Sequence, residues 1–546
     1  PGLVLAAVVV AVLPIFWNAW SAAADGWAPE GDSATITLRT HDVLTADPPL
    51  LGNPTTAGRE EFGDVYHPGP LEFVVLAVPL RLFGADAHGM LLGVAFVNAA
   101  AVAGVVALAH RRGGRPLALW AASGAAVLAW ALNDEILHDP YNPHVLLLPY
   151  AFLLVAGWSV ACRDRIALPL AVAAASFVAQ AHAFYALPAA VVVVAIGAAA
   201  LTFARPSRTG LLVSVATGLV LWLPPIVAEL RPGRGNLAAL ATYAGDGQPL
   251  AGPRFALARL ADTLLGPRWL DRSPDALQLL SQPGAPLQAL TLAALAAVGW
   301  LGWRAHRDGR SATAALVATA GVAVLASLVA TARLPNGIPF LEPHSHRHWW
   351  VTGFAVWFAT TWAAVDELRP RLRTVPPKAR LALLAAPLVV AAAATAWTPS
   401  IADDRGSVSF GAVAHLTDAV ADALPSRGPW LVQGSGQQAF FSVEPGIVTG
   451  LVLRGFDVGV AAHEGAIFGR HHVAPADVEG TILVASGAQR PTAPPGYELV
   501  ARFDAVADAA ATGHTNTGIF RAPEQLAVFL RLSTCGEDAD CSALRP

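Results

Sequence analysis

The chain has 546 residues, 55% of them hydrophobic and only 14% charged, with a mean hydropathy of +0.50. A soluble protein of this size carries closer to about one quarter charged residues; here the shortfall lies in long Ala, Leu and Val blocks, which excludes an ordinary soluble enzyme. The formal net charge of -4 gives no sign of a nucleic-acid partner.

A helix needs about 20 apolar residues to cross the hydrocarbon core of a bilayer. In chain order, spans are predicted at 3–20, 87–109, 117–132, 144–161, 166–182, 184–203, 211–228, 286–303, 312–331, 349–365 and 381–398, which makes eleven. The first is followed by Ser21-Ala22-Ala23-Ala24, which looks like a signal-peptide cleavage site. No basic residues precede it and further spans follow, so it reads as a retained transmembrane helix. Residues 70–84 are also apolar but contain Glu72, Pro79 and Arg81. They are expected to form an amphipathic helix on the outer membrane surface, because a crossing there would reverse every later connection.

Basic residues set orientation. Arg111, Arg112 and Arg115 follow the second span, Arg163 and Arg165 the fourth, Arg205 and Arg208 the sixth. Arg304, Arg307 and Arg310 follow the eighth, and Arg369, Arg371, Arg373, Lys378 and Arg380 the tenth. Every second connection is therefore short and basic, the mark of the cytoplasmic side. The expectation is a multi-pass protein of the cell membrane, embedded in its lipid bilayer, with a cytoplasmic N-terminus and an extracytoplasmic C-terminal domain. The long outer connection 229–285 departs from the rule because it carries Arg231, Arg234, Arg254, Arg259, Arg268 and Arg272, although Asp246, Asp262, Asp271 and Asp275 accompany them.

From about residue 400 the pattern changes. Short apolar runs at Trp430-Leu431-Val432, Val458-Gly459-Val460 and Thr481-Ile482-Leu483-Val484 read as strands, and 411–424 and 444–455 as helices. The chain is thus divided into a membrane domain, 1–399, and a small extracytoplasmic α/β domain, 400–546. It contains neither a Gly-rich phosphate loop nor a zinc spacing. Cys535 and Cys541 could close a small disulfide loop in an oxidising compartment, while Cys162 reads as a small apolar residue.

Ionisable groups near the ends of membrane spans are functional candidates by default. The first outer loop is the densest source: Glu30, Asp32, His41-Asp42, Asp47, and then Asp64-Val65-Tyr66-His67-Pro68-Gly69-Pro70-Leu71. Asp32 could take a proton from an acceptor hydroxyl. On spacing alone it reads more readily as the N-cap of an amphipathic run, Ala34 to Val43. Asn133-Asp134-Glu135 and His138-Asp139 form a second group, open to a substrate role or to a solvated loop. In Glu342-Pro343-His344-Ser345-His346-Arg347-His348-Trp349-Trp350, the alternating histidines could share one face of an extended segment and hold a metal, but no further ligand at suitable spacing accompanies them apart from Glu342. Arg347, Arg231 or Arg234 could meet a phosphate, and Trp349 and Trp350 read as residues of the interfacial belt.

A carboxylate just after the first span, a short surface helix, and a His-Pro-Gly-Pro-Leu run leading into Leu82-Phe83-Gly84 resemble the GT-C glycosyltransferase superfamily. The likeness is to the branch of protein O-mannosyltransferases and the lipid A aminoarabinose transferase. Tyr141-Asn142-Pro143, Gln180-Ala181-His182 and Gly235-Asn236-Leu237 resemble its many-helix actinobacterial members, and the Ala/Arg/Gly/Pro bias agrees with a GC-rich genome. The resemblance implies a polytopic α-helical GT-C-like fold with the active site in the outer loops and no cofactor or metal. It implies transfer of a monosaccharide, of the mannose or arabinofuranose class, from a polyprenyl-phosphate-linked donor. The acceptor would be an envelope glycan, lipid or protein at the outer face. Asp32 matches the catalytic base of that family, although Ser33 stands where an acidic neighbour is common. Substrate contacts are then expected from Glu30, His67, Asn142, His144, Gln180, His182, Asn236, His346, Arg347 and His348. Two other classes stay open: a flippase for a lipid-linked sugar, which should show an internal repeat and mid-span charges, and a non-catalytic envelope-binding membrane protein.

Overall fold

Helices built from such apolar sequence bury their backbone polar groups within themselves, the condition for crossing lipid. The structure, a computed structural model, describes residues 2–55, 65–84, 86–232, 235–245, 249–265, 284–336, 343–372, 375–397, 408–512 and 525–533. Each of the eleven predicted spans is helical. They form α1 (Gly2–Ala24), α4 (Ala87–Leu132), α5 (Leu147–Ala161), α6 (Ala167–Ala181), α7 (Ala183–Ala199) and α8 (Arg208–Glu229). After α9 (Asn236–Gly245) and α10 (Gly252–Leu264) come α11 (Ala285–Arg307), α12 (Ser311–Ala332), α13 (His348–Leu372) and α14 (Pro377–Trp397). The 46 residues of α4 hold two of the spans, broken at Gly114, whose φ of 66° no helix accommodates. Asn98 Nδ2 donates to the Leu137 carbonyl at 2.9 Å, so the halves run back alongside each other. Seven described helices, α4 counted once, are long and apolar enough to cross a membrane. The chain is a multi-pass membrane protein.

On α8 and α11 the apolar face is left bare. Leu212, Leu219 and Val220, with Leu290, Trp300 and Trp303, are more than half exposed, as residues facing lipid tails are. The basic connections gather at one end of the bundle. Arg111 and Arg112 both bind Asp164, Arg310 binds Glu367 and Asp366, and Trp158 Nε1 donates to the Ala312 carbonyl at 2.8 Å between these groups.

Before α4 lie α2 (Gly31–Asp42) and α3 (Leu71–Leu82). With 12 residues, α3 extends only about 18 Å, against about 30 Å of hydrocarbon, so 70–84 does not cross. It buries Phe73, Leu76 and Leu80, exposes Val78 and Leu82, and Arg81 donates to the His41 carbonyl at 2.8 Å. Between α2 and α3, a two-residue antiparallel ladder pairs β1 (Pro54–Thr55) with β2 (Val65–Tyr66).

The C-terminal region is an α/β unit on a five-stranded sheet: β3 (Trp430–Ser435), β4 (Val458–Gly459), β5 (Gly480–Gly487), β6 (Glu498–Asp504) and β7 (Gln525–Leu532), in the order β4-β3-β5-β7-β6. Strands β4, β3 and β5 are parallel; β7 runs antiparallel between β5 and β6. The three parallel strands are those expected from the apolar runs. β6 and β7 are additional: Glu498 and Arg502 break up the apolar pattern of β6, while β7 holds a continuous apolar run, Leu526 to Leu530, that was not among the expected strands. Helices α15 (Val408–Ala423) and α16 (Glu444–Leu453) agree with the expected pair. Residues 398–407, where the domain boundary was drawn, and both Cys535 and Cys541 lie outside the described residues.

This unit packs directly on α2. Thr449 Oγ1 donates to the Ala34 carbonyl at 2.9 Å, Ser442 donates to the Glu30 carboxylate, and Tyr66 Oη donates to the Ala466 carbonyl at 3.3 Å.

Candidate active site

Asp32 lies in the first turn of α2, one residue inside the helix, whose N-cap is Glu30. The carboxylate is therefore not the capping group. It accepts from Asn53 Nδ2 at 3.3 Å, and Asn53 Oδ1 in turn accepts from Thr35 Oγ1 at 3.2 Å. Asp32 keeps more than a third of its surface accessible while protein surrounds it, the situation of a residue lining a recess. Enclosure by protein pushes its carboxyl up to about 6, against the lowering influence of His344, with Asp139 adding to the rise and Asn53 opposing it. The loop after the first span and the His/Arg/Trp stretch entering α13 thus act on one another across the bundle end.

Asp139 is the organising carboxylate beside it. Ser33 Oγ donates to its Oδ1 at 2.7 Å, the Tyr141 amide donates to the same oxygen at 3.2 Å, and His144 Nδ1 lies 3.1 Å from Oδ2. Burial alone would raise Asp139, but His144 and Ser33 hold it below the usual carboxylate range. Glu72 is 3% exposed, and burial followed by the Asp139 charge raises it well above its ordinary value. Two acids in one neighbourhood are therefore pushed toward holding protons while a third stays ionised, a division of labour typical of acid–base sites.

A pair of imidazoles adjoins this group through Asn53, whose backbone carbonyl accepts from the His67 amide at 2.9 Å. His67 and His182 stack with ring centroids 4.4 Å apart, and His182 meets Tyr185 edge-on at 5.7 Å. His67 Nδ1 accepts from the Ala183 amide at 3.1 Å, which leaves its proton on Nε2. Burial lowers His67 to about 3 and carries His182 well below its normal value, so both are neutral donors and acceptors at neutral pH. Tyr185 Oη donates to the His344 carbonyl at 2.9 Å, and Tyr141 packs against the rings of His144 and His344 at 4.9 and 6.0 Å.

The run 343–350 is helical, with a short helix Pro343–His346 continuing into α13. Two residues on a helix are separated by about 200°, so the alternating histidines do not share a face. His344 faces Tyr141, His346 packs on Phe255 at 5.5 Å, and His348 Nδ1 lies 3.0 Å from Ser327 Oγ. Among the described residues they form no three-ligand cluster. Trp349 and Trp350 are 1% and 2% exposed, and Trp349 Nε1 donates to Thr331 at 2.9 Å. They fill the bundle interior and are not interfacial. Arg347, 7% exposed, lies over the Trp350 ring at 5.5 Å.

Other expected site residues are engaged with backbone. Asn142 Nδ2 donates to the Ala181 carbonyl at 2.9 Å and Gln180 Nε2 to the Leu221 carbonyl at 2.9 Å. Asn236 brackets Tyr66, accepting from its amide at 2.9 Å and donating to its carbonyl at 3.0 Å. Asn142 and Asn236 tie connecting segments to their neighbours, and Gln180 ties α6 to α8. Glu30 is the C-terminal unit's contact. Arg231 is exposed, and Arg234 and Glu342 lie outside the described residues.

Residue-type reasoning passed over Asn53, Glu72 and Tyr185, and also Arg259. Arg259 is 2% exposed on α10, pairs with Asp262 at 3.0 Å and sits over the Phe255 ring at 5.2 Å. Its signal was the i,i+3 Arg259/Asp262 spacing inside an otherwise apolar run.

No protein-family model matches the sequence, and no curated protein matches it. Solved structures do. The crystal structure of ArnT from Cupriavidus metallidurans bound to undecaprenyl phosphate aligns over 98% of each chain, with TM-score 0.50 and 15% identity. Its apo state aligns over 99% of each chain at TM-score 0.40 and 13% identity. The Archaeoglobus fulgidus oligosaccharyltransferase, in complex with Zn and sulfate, aligns over 79% of this chain and 60% of that one, at TM-score 0.35 and 13% identity. The likeness to the first establishes the fold: a GT-C-like, α-helical polytopic membrane domain with a C-terminal α/β region.

Proposed function

We propose that the chain is a membrane glycosyltransferase. It moves a monosaccharide, of the mannose or arabinofuranose class, from a polyprenyl-phosphate carrier to an envelope glycan, lipid or protein acceptor. The observation that carries this reading is Asp32 itself: an accessible carboxylate, raised to about 6, within electrostatic reach of Asp139 and His344 and held by Asn53. The fold shared with ArnT supports it, since that protein's structure holds undecaprenyl phosphate. The basic connections gathered at the opposite bundle end support an extracytoplasmic recess, a cytoplasmic N-terminus and an extracytoplasmic unit after about residue 400.

In the proposed reaction the acceptor hydroxyl attacks the anomeric carbon while the bond from that carbon to the phosphate oxygen breaks. The hydroxyl proton passes to Asp32, and the carrier leaves as polyprenyl phosphate. A base with a carboxyl near 6 accepts that proton more readily than an ordinary carboxylate. Arg347 supplies positive charge to the departing phosphate, and the neutral His67 and His182, together with His344, offer hydrogen bonds to sugar hydroxyls. His144 holds Asp139, while His346 and His348 set the start of α13. Asn142 and Asn236 fix connecting segments, Gln180 ties α6 to α8, and Glu30 positions the Asp32 turn through Ser442.

The test uses wild-type chain and Asp32→Asn purified in detergent, each supplied with a panel of polyprenyl-phosphate sugars and envelope acceptors. Turnover by wild type that collapses in the variant supports the assignment; equal turnover in both removes Asp32 from the mechanism.

A further inference from the structure

Asp42, in the last turn of α2, stands apart from the groups around Asp32. It is 2% exposed, and its carboxylate faces two imidazoles of the C-terminal unit. His471 Nε2 lies 3.1 Å from Oδ2 and His472 Nε2 lies 3.2 Å from Oδ1. The ligand atoms of the three residues all fall within 4.8 Å of one another. Successive side chains of an extended segment point apart, but here Gly469, at φ 105°, opens a tight turn over Arg470–His472. That turn brings the two rings to 4.2 Å between centroids. The His472 carbonyl accepts from the Val460 amide at 2.9 Å, and a bridge pairs Val460 with Val473, so the turn is anchored beside β4. Arg39 Nη1 donates to Asp42 Oδ2 at 2.9 Å and fixes the carboxylate from outside, as outer-shell partners of metal ligands do.

We propose that Asp42, His471 and His472 bind a divalent transition-metal ion of the zinc class, which staples the C-terminal unit to the helix bearing Asp32. Two imidazoles and a carboxylate are a common zinc donor set, and bonds of about 2.0–2.2 Å place tetrahedral ligands roughly 3.3 Å apart. The imidazole–carboxylate separations, 3.1 Å from His471 to Oδ2 and 3.2 Å from His472 to Oδ1, lie close to that edge, each to its own oxygen, as for a carboxylate that spans the ion with both oxygens. Calcium and magnesium favour all-oxygen shells and suit the site poorly. The alternative occupant is a proton on each imidazole, giving plain ion pairs to Asp42. The site is independent of the transferase reading, because none of its residues takes part in the proposed chemistry.

Full-length chain in detergent, freed of any affinity tag and stripped with a chelator, is titrated with Zn2+ and assayed for retained zinc after dialysis. The expected result is about one zinc per chain and a raised thermal midpoint on zinc addition. In His471→Ala/His472→Ala the affinity falls by about 100-fold or more and the thermal effect disappears, while Asp32→Asn binds as wild type. His471 and His472 side chains are 27% and 12% exposed, so the replacements leave the sheet core intact. Should the double variant not fold, His471→Ala alone decides the matter by the same affinity measurement. Wild type that retains no zinc, or variants that retain it with undiminished affinity, overturn the proposal.

Discussion

Asp164, at the bundle end where the basic connections gather, receives Arg111 at 2.7 Å and Arg112 at 2.9 Å and is held down to about 2, the Arg111 hydrogen bonds contributing most. Asp32, at the opposite end, receives an amide from Asn53 and is pushed up to about 6, chiefly by its enclosure. The first carboxylate is satisfied by charge and ties two loops together. The second remains accessible, is only weakly partnered and is made more basic by its surroundings. The contrast sets a fastening carboxylate at one end of the bundle against an accessible, more basic one at the other, where the proposed chemistry is placed.

The largest effect that could break this contrast is on turnover. Asp32→Asn should lower it by about 10²–10⁴-fold, the usual contribution of a general base, while the thermal midpoint stays at or above that of wild type, since a disfavoured charge has been removed. In wild type the rate should climb as pH rises through about 6, where Asp32 ionises, and level off above it. A pH profile without that limb separates Asp32 from the proton transfer.

Asp164→Asn should show the opposite pattern: unchanged turnover per folded molecule and a loss of about 2 kcal/mol in stability, the value of hydrogen bonds to a charged group. Because its folded value lies below the unfolded one, the wild-type contribution is complete above pH of about 4 and fades as pH falls toward 2. Thermal midpoints of the two chains should therefore converge in acid, which a pH series of unfolding curves would read directly.

Glu444 sharpens the comparison from the C-terminal unit. It is fully buried and raised to about 9, mainly by burial and then by Glu464. Its raised folded value means that stability is present below its unfolded value and drains away as pH rises toward 9. Glu444→Gln should thus stabilise the chain at pH 7 by on the order of 1 kcal/mol, with the gain vanishing near pH 4. The smallest effect belongs to the surface pair of Arg454 with Asp418, whose side chains are 42% and 65% exposed. Arg454→Ala should cost at most about 0.5 kcal/mol, which marks how little an exposed ion pair contributes beside Asp164.

Much of the membrane architecture was legible because it depends on local composition. The spans followed from runs of Ala, Leu and Val, and the helix within 70–84, at 12 residues, is too short to cross. The turn between the halves of α4 was visible in its Arg111-Arg112-Gly113-Gly114-Arg115-Pro116 sequence. Strand β6 was not legible, because charges break its apolar pattern, whereas β7, a run of five apolar residues flanked by β5 and β6, was legible and passed over. The possibility that the histidines at 344, 346 and 348 share one face of an extended segment falls away because the stretch after Pro343 is helical.

Sequence by itself determined that this chain crosses a bilayer repeatedly, that basic loops alternate, and that Asp32 stands just beyond the first helix; hydrophobicity and charge act through each residue's own transfer energy. Only tertiary structure decided that Asn53, Asp139 and His344 act on Asp32, that His67 stacks on His182, and that Asp42 meets two histidines some 430 positions away. Those relations arise from helix packing and from the docking of the C-terminal unit on α2, and contacts between distant segments leave no periodicity in a single sequence.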